Sequence, residues 1–217
     1  MARQMTPERW EYFSAYADEL FGEPDEQMAT LMDRASEAGL PQISVGSDVG
    51  RLLSILAGST AGRLAVEVGT LAGYSAIWIA RGLPDTGKVI TIEYEDRHAD
   101  FAEAEIAAAG LSSKIEVVRG PGLDVIPSLA GRVGLGGVDF AFIDAVKDEY
   151  IGYFDELKPL LAVGALVVAD NVYGTGQGWI DEGYGTDSFN RHVAADHDFV
   201  ATITPMRAGL LIARRIS

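Results

Sequence analysis

Two apolar runs in this sequence end on acids. FIDAVKDEY (142–150) places Asp144 just past one run, and LVVADNV (166–172) places Asp170 and Asn171 just past another. Two carboxylates and a carboxamide make an all-oxygen donor set. Such a set suits a hard cation and leaves positions for water and a chelating substrate, as Mg²⁺ prefers. The set forms only if the two runs are neighbouring parallel strands whose carboxyl ends meet. Either acid alone serves equally well as the N-cap of a following helix. Lys147 follows Asp144 by about one helical turn. Beside a cation its ammonium form is disfavoured, which moves the amine toward general-base use; taken alone it is a solvated surface lysine.

A second group of chemical residues surrounds LAVEVGTLAGYS (64–75). Its first half is a short apolar and β-branched run, the pattern of a strand buried on both faces. Gly69 and Gly73 follow, and a helical pattern begins at Tyr74. A strand that turns on glycine into a helix is the ligand end of a doubly wound sheet, where missing side chains let backbone N–H groups approach a ligand. Glu67 lies inside the strand, and a buried carboxylate needs a partner. That partner is either a core network or a cationic or hydroxyl-bearing ligand. Glu93, about 20 residues after the turn, stands where an acid accepts hydrogen bonds from ribose hydroxyls; the alternative is one more solvated acid beside Glu95 and Asp96. The turn reads GxxxG rather than the GxGxxG of dinucleotide sites. A ligand without a pyrophosphate, such as an adenosyl group, fits that difference.

Other patterns carry less. GLPDTGK (82–88) resembles a phosphate-binding loop, but it follows a helix, precedes a strand and has Val89 where Ser or Thr is needed. GYSAI (73–77) lacks the last glycine of a nucleophile elbow. His98, His192 and His197 show no metal spacing and read as surface or boundary residues.

The elements that must position these groups alternate along the chain. Strands are expected at Leu64–Val68, Lys88–Glu93, Lys114–Arg119, Val138–Ile143 and Ala165–Ala169, with helices at Tyr74–Arg81, Arg97–Ala109, Leu123–Leu129 and Glu149–Leu160. This is an α/β pattern with a doubly wound, mostly parallel sheet. A helix at Thr186–Ala195 and strands Phe199–Ile203 and Gly209–Arg215 follow; the last two form an antiparallel edge hairpin and bring the sheet to seven strands. Three helices precede the sheet, at Pro7–Leu20 with Thr6 as N-cap, Asp25–Ala38 stopped by Gly39, and Arg51–Ala57. One domain over 1–217 is expected, with 1–60 as a helical segment covering the site and 61–217 as the cofactor-binding and catalytic core.

Composition bounds the partners. The 217 residues are 48% hydrophobic, enough to fill one such domain. Zero cysteines exclude disulfides and thiolate chemistry and fit a reducing interior. No stretch reaches the roughly 20 apolar residues of a membrane span, and MARQMTPERWEYF has charges where a signal peptide has an apolar core. A cytoplasmic location is therefore expected. With 32 acidic and 17 basic residues the net charge is −15, which repels phosphate backbones and disfavours nucleic acid as a partner.

VEVGTLAGYS, the acid of ITIEYE, FIDAVKDEY and VVADNVYGTG occur in the order seen in cation-dependent, S-adenosylmethionine-dependent O-methyltransferases. From about Ile43 to Ile212 the chain resembles that family, which includes the catechol and caffeoyl-CoA O-methyltransferases. The resemblance implies a Rossmann-like methyltransferase fold and methyl transfer to a catechol-like (vicinal dihydroxy) aromatic small molecule. It implies that Val45 lines the methionine end of S-adenosylmethionine, that Glu67 and Ser75 hold its amino-acid part, and that Gly69 allows close backbone approach. Glu93 would bind the ribose hydroxyls, Tyr94 would flank the adenine and Gly122 would touch it. Asp144, Asp170 and Asn171 would ligate Mg²⁺, with Lys147 as the base. A homodimer is implied by the same analogy.

Tyr173, Trp179 and Tyr184 are candidates for an aromatic substrate wall, or for packing, and Gly174, Gly176 and Gly178 for a mobile lid. One departure is Met206-Arg207-Ala208-Gly209, where the family often reads Asp-Gly before its last strand. Methylation of a hydroxylated uridine in tRNA and a non-catalytic adenosyl-binding role are the alternatives; the −15 charge opposes the first unless Arg207, Arg214 and Arg215 form a basic patch.

Overall fold

The computed structural model describes residues 6–22, 25–60, 62–175, 178–182 and 186–217. Three helices come first: α1 (Pro7–Phe21), α2 (Glu26–Glu37) and α3 (Ser47–Ser59). Then follow β1 (Leu64–Val68), α4 (Tyr74–Gly82), β2 (Lys88–Glu93), α5 (Asp96–Ala108), β3 (Ile115–Arg119), α6 (Gly122–Ser128) and the single turn α7 (Ala130–Val133). The chain continues through β4 (Val138–Ile143), α8 (Tyr150–Leu157) and β5 (Leu161–Ala169). It ends with the two-residue strands β6 (Gly174–Thr175) and β7 (Gly178–Trp179), then α9 (Asp187–Ala195), β8 (Phe199–Thr204) and β9 (Leu210–Arg215).

The seven-stranded sheet has the order β3-β2-β1-β4-β5-β9-β8. Strands β1 to β5 pair in parallel, and β9 runs antiparallel to both neighbours. The doubly wound sheet and its antiparallel edge are as the alternating pattern requires. From β1 the chain winds outward to β3 and then crosses back to β4, so a crevice opens where β1 and β4 end. Strand alternation sends Ala65, Phe140, Phe142 and Val168 into a core under α2, α3 and α4. Val66, Val68, Ala141, Ile143 and Val167 enter a second core under α6, α8 and α9. The central strands are apolar on both faces because both faces are covered.

Most boundaries fall within a residue or two of expectation, and the exceptions have local causes. Helix α3 begins at Ser47 rather than Arg51, because the polar Ser47 and Asp48 form its first turn while Val49 and Gly50 already face the core. Strand β5 begins at Leu161 rather than Ala165; Gly164, at φ +94°, sits in an irregular stretch where the β4 register shifts. The helix expected over 149–160 is α8 between two 3₁₀ turns, Lys147–Glu149 and Lys158–Leu160. Pro159 lacks the N–H that a continuing helix needs. Pro7 occupies the first position of α1, but the Thr6 side chain makes no capping bond. Among the described residues no helix is long and apolar enough to cross a membrane.

The second core is anchored by rings. Phe154 is fully buried, 4.9 Å from the Phe199 ring and 6.2 Å from that of Phe189. Phe154→Ala is expected to cost about 3–5 kcal/mol and to lower the urea midpoint at constant slope; a loss below about 1 kcal/mol would mean that the site collapses to fill the cavity.

Candidate active site

The ladder runs one residue past the strands. Gly69 N–H donates to Ile92 C=O at 3.0 Å, Asp144 N–H to Val68 C=O at 2.9 Å and Asp170 N–H to Ile143 C=O at 3.1 Å. These bonds bring the ends of β1, β4 and β5 level. At Gly69, with φ +99°, a Cβ would lie 2.0 Å from the Asp144 carbonyl oxygen. Its lack of a side chain is what lets those two strand ends meet.

An open cleft of about 1260 Å³ runs over this end of the sheet. Val45, Gly69, Ser75, Glu93, Tyr94 and Gly122 line it, as do Asp144, Lys147 and Asn171. Glu67 and Asp170 lie buried behind its wall. The sequence-derived residues therefore converge on one cleft, large enough for a nucleoside-sized ligand and a second small molecule.

Glu67 Oε2 accepts from Thr91 Oγ1 at 2.5 Å, and the Thr70 and Thr91 hydroxyls are 2.5 Å apart. Burial pushes the Glu67 carboxyl up to about 8, an effect that the Ser75 and Thr91 hydroxyls partly offset. Its Oε1 has no hydrogen-bond partner among the described residues. Glu93 is held differently. Its Oε2 accepts from Thr70 N–H at 3.2 Å and Leu71 N–H at 2.8 Å, and its Oε1 from Glu95 N–H at 3.0 Å. It is buried, while Glu95 and Asp96 are exposed, so it is not a solvated acid. Gly122 also has a packing role, since a Cβ there would meet Tyr153 at 2.7 Å.

At the other end, Lys147 Nζ donates to Asp144 Oδ1 at 2.7 Å and to Tyr150 Oη at 2.6 Å. Asp170 Oδ1 accepts from Asn171 N–H at 2.8 Å, and Asn171 takes φ +56°, a conformation asparagine tolerates. Burial first, and the Asp144 charge second, push the Asp170 carboxyl up. Neither acid caps a helix: the turn after Asp144 has Val146 at its cap position, and the first described helical turn after Asp170 starts only at Ile180. The described residues hold no group of three His, Cys, Asp or Glu that could bind a metal; the third donor here is an amide.

Trp179 lines the cleft and is half exposed. Tyr173 instead packs against Gly209, and Tyr184 and Gly176 lie outside the described residues. Gly174 and Gly178 belong to the β6–β7 hairpin. At the departure before β9, Ala208 lines the cleft, and Arg207 Nε donates to Asp48 Oδ1 at 2.7 Å, its guanidinium over Gly46. The hairpin tip is thereby tied to the segment that carries Val45. His98 is a boundary residue, half-buried, that also lines the cleft 3.6 Å from Glu93 Oε1; His192 pairs with Asp155, and His197 is exposed. Thr91 and Tyr150 were missed as well. Thr91 gave no signal of its own, since only the strand register places it opposite Glu67.

A family model described as O-methyltransferase matches residues 18–216. The chain belongs to the O-methyltransferase family. It is 38% identical over 208 residues to a protein of Niastella koreensis named catechol O-methyltransferase, covering 93% of each chain. A Mycobacterium tuberculosis protein of the same name is 39% identical over 158 residues, 73% of this chain and 70% of that one. Among solved structures, the O-methyltransferase TomG from Streptomyces achromogenes, in complex with SAM, superposes with a TM-score of 0.87 at 32% identity, over 99% of this chain and 100% of that one.

Glu67 gives the ligand-free protein a distinctive pH dependence. Between the ordinary carboxyl value near 4.5 and its raised value near 8, the folded chain holds a proton that the unfolded chain has released. Stability therefore falls as pH rises through that window. Thermal melts across it are expected to show this decline in the parent protein and a flatter profile in Glu67→Gln; equal slopes would contradict the burial of a proton-holding acid.

Proposed function

We propose that this chain transfers a methyl group from S-adenosylmethionine to one hydroxyl of a catechol-like aromatic small molecule, with a divalent cation, Mg²⁺ or its equivalent, held by Asp144, Asp170 and Asn171. The observation that carries this is the Asp144–Lys147 pair on the cleft floor, level with the Asp170–Asn171 strand end. The names of the two catechol O-methyltransferase relatives support the acceptor class, and the SAM held by TomG supports the donor.

The residues present fit both absent groups. The unpartnered Glu67 Oε1 beside Ser75 suits the amino group at the methionine end. The buried Glu93 suits ribose hydroxyls, since a carboxylate offers about four lone-pair sites and three are used. Val45 and Gly69 would line the methionine end, Tyr94 and Gly122 the adenine, and Asp144 would serve both ligands. Two crowded carboxylates and an amide suit a hard cation. A cation held there would supply a lowered pKa to a chelated hydroxyl and would fix its approach. S-adenosylmethionine supplies a methyl sulfonium that needs no activation.

The chain's own residues then have defined work. Lys147 takes the proton of the reacting hydroxyl as that oxygen accepts the methyl group, and Asp144 stabilises the resulting ammonium. Trp179 offers an aromatic wall for the acceptor ring. A tRNA acceptor is not favoured: Arg207 is paired with Asp48, and Arg215 donates to the Lys158 and Leu161 carbonyls. The same proposal has 1–60 covering the site, 61–217 binding the cofactor, and the protein working in the cytoplasm as a homodimer. Trp10, Phe13, Tyr16 and Leu20 of α1 are half exposed, an apolar surface a second copy would cover.

Labelled methyl transfer to a simple catechol and to caffeic acid is the test. Transfer is expected with Mg²⁺ and absent with excess EDTA or in Asp170→Ala. Lys147→Ala is expected to lower kcat by roughly 10²–10⁴-fold with S-adenosylhomocysteine still bound. Transfer that survives EDTA would remove the cation, and no transfer to any vicinal diol would remove the acceptor class. Light scattering is expected to give a dimer that Trp10→Glu weakens; a monomer in the parent protein would refute it.

A further inference from the structure

Tyr150 is fully buried and none of the roles above uses it, although its hydroxyl touches Lys147. The ring is fixed edge-on to Phe189, with centroids 5.3 Å apart, and lies 6.4 Å from the Tyr153 ring. Its hydroxyl hydrogen is directed at two backbone carbonyls, Asp170 at 3.1 Å and Ile143 at 3.3 Å. A phenol has one hydrogen. With that hydrogen committed to the strand ends, the oxygen faces Lys147 as an acceptor.

This fixes what the amine can do. A neutral lysine nitrogen has two hydrogens and one lone pair. Asp144 Oδ1 at 2.7 Å and Tyr150 Oη at 2.6 Å are both acceptors and take the two hydrogens. The lone pair is left the remaining tetrahedral direction, and Lys147 is itself a lining residue of the cleft. With Asp144 alone, the long side chain could rotate its lone pair away from the cleft.

We propose that Tyr150 is a positioning residue that aims the Lys147 lone pair at the acceptor hydroxyl by holding one amine hydrogen from the ends of β4 and β5. This rests on Lys147 being the base. In the step, the acceptor O–H bond breaks and its proton joins Nζ, while the oxygen forms its bond to the methyl carbon as the carbon–sulfur bond breaks and leaves a thioether. Tyr150 keeps its own proton throughout.

The test is a double-mutant cycle of Tyr150→Phe and Lys147→Ala, with catechol as acceptor, S-adenosylhomocysteine affinity by calorimetry and melting temperature. Tyr150→Phe keeps the ring and its packing. It is expected to lower kcat on the order of ten- to a hundredfold, as misaligned groups do. The acceptor KM and the S-adenosylhomocysteine affinity are expected to change by less than about twofold. In the double variant the Tyr150 effect is expected to vanish, because its target is gone. An unchanged kcat, a kcat loss that tracks lost affinity or melting temperature, or losses that multiply would each overturn the proposal. If Lys147→Ala alone retains the parent kcat, the base assignment itself fails, which is a distinct result.

Discussion

The structure depends on gathering like charges at one end of a sheet and keeping them there. Glu67, Glu93, Asp144 and Asp170 all stand at or near the carboxyl ends of β1, β2, β4 and β5, and three of the four are buried. Buried carboxylates repel one another and resist ionisation unless each is answered. The fold answers them unequally. Glu93 has three backbone N–H donors, Glu67 a threonine relay, Asp144 the Lys147 Nζ and Asp170 one N–H. The acids answered least are where cationic ligand groups gain most, at Glu67 and at the Asp144–Asp170 pair.

Everything around that end holds it rigid. The parallel ladder continues past β1, β4 and β5, so backbone bonds rather than loop conformation set the level of Gly69, Asp144 and Asp170. The two cores clamp the sheet from both faces. Arg207 and Asp48 tie α3 to the turn before β9, and Ser44 and Val45, just ahead of α3, line the cleft. The neighbouring Ala208 lies at the cleft edge.

The parallel strands were legible because burial on both faces forces continuous apolar runs, and acids that end such runs stand out. Asp144, Lys147, Asp170 and Asn171 were visible for that reason. The Gly69 and Gly73 punctuation likewise exposed the turn. What sequence did not show depends on partners far away in the chain. Thr91 reads as one more β-branched strand residue until its register places it opposite Glu67. Tyr150 reads as an aromatic core residue, because only tertiary packing reveals that its hydroxyl reaches Lys147. His98 reads only as a boundary residue, because nothing in its helix shows that the helix starts at the cleft. The start of helix α3 is hidden because its first turn, at Ser47 and Asp48, is polar.

The central claim is that the strand-end acids form a cation site at the reacting hydroxyl. Crystals grown with Mn²⁺, S-adenosylhomocysteine and a catechol, measured at the manganese edge, test it most directly. One anomalous peak touching Asp144, Asp170, Asn171 and both catechol oxygens is the result expected. A catechol seated in the cleft with no peak at those three residues, or a peak elsewhere, would contradict it.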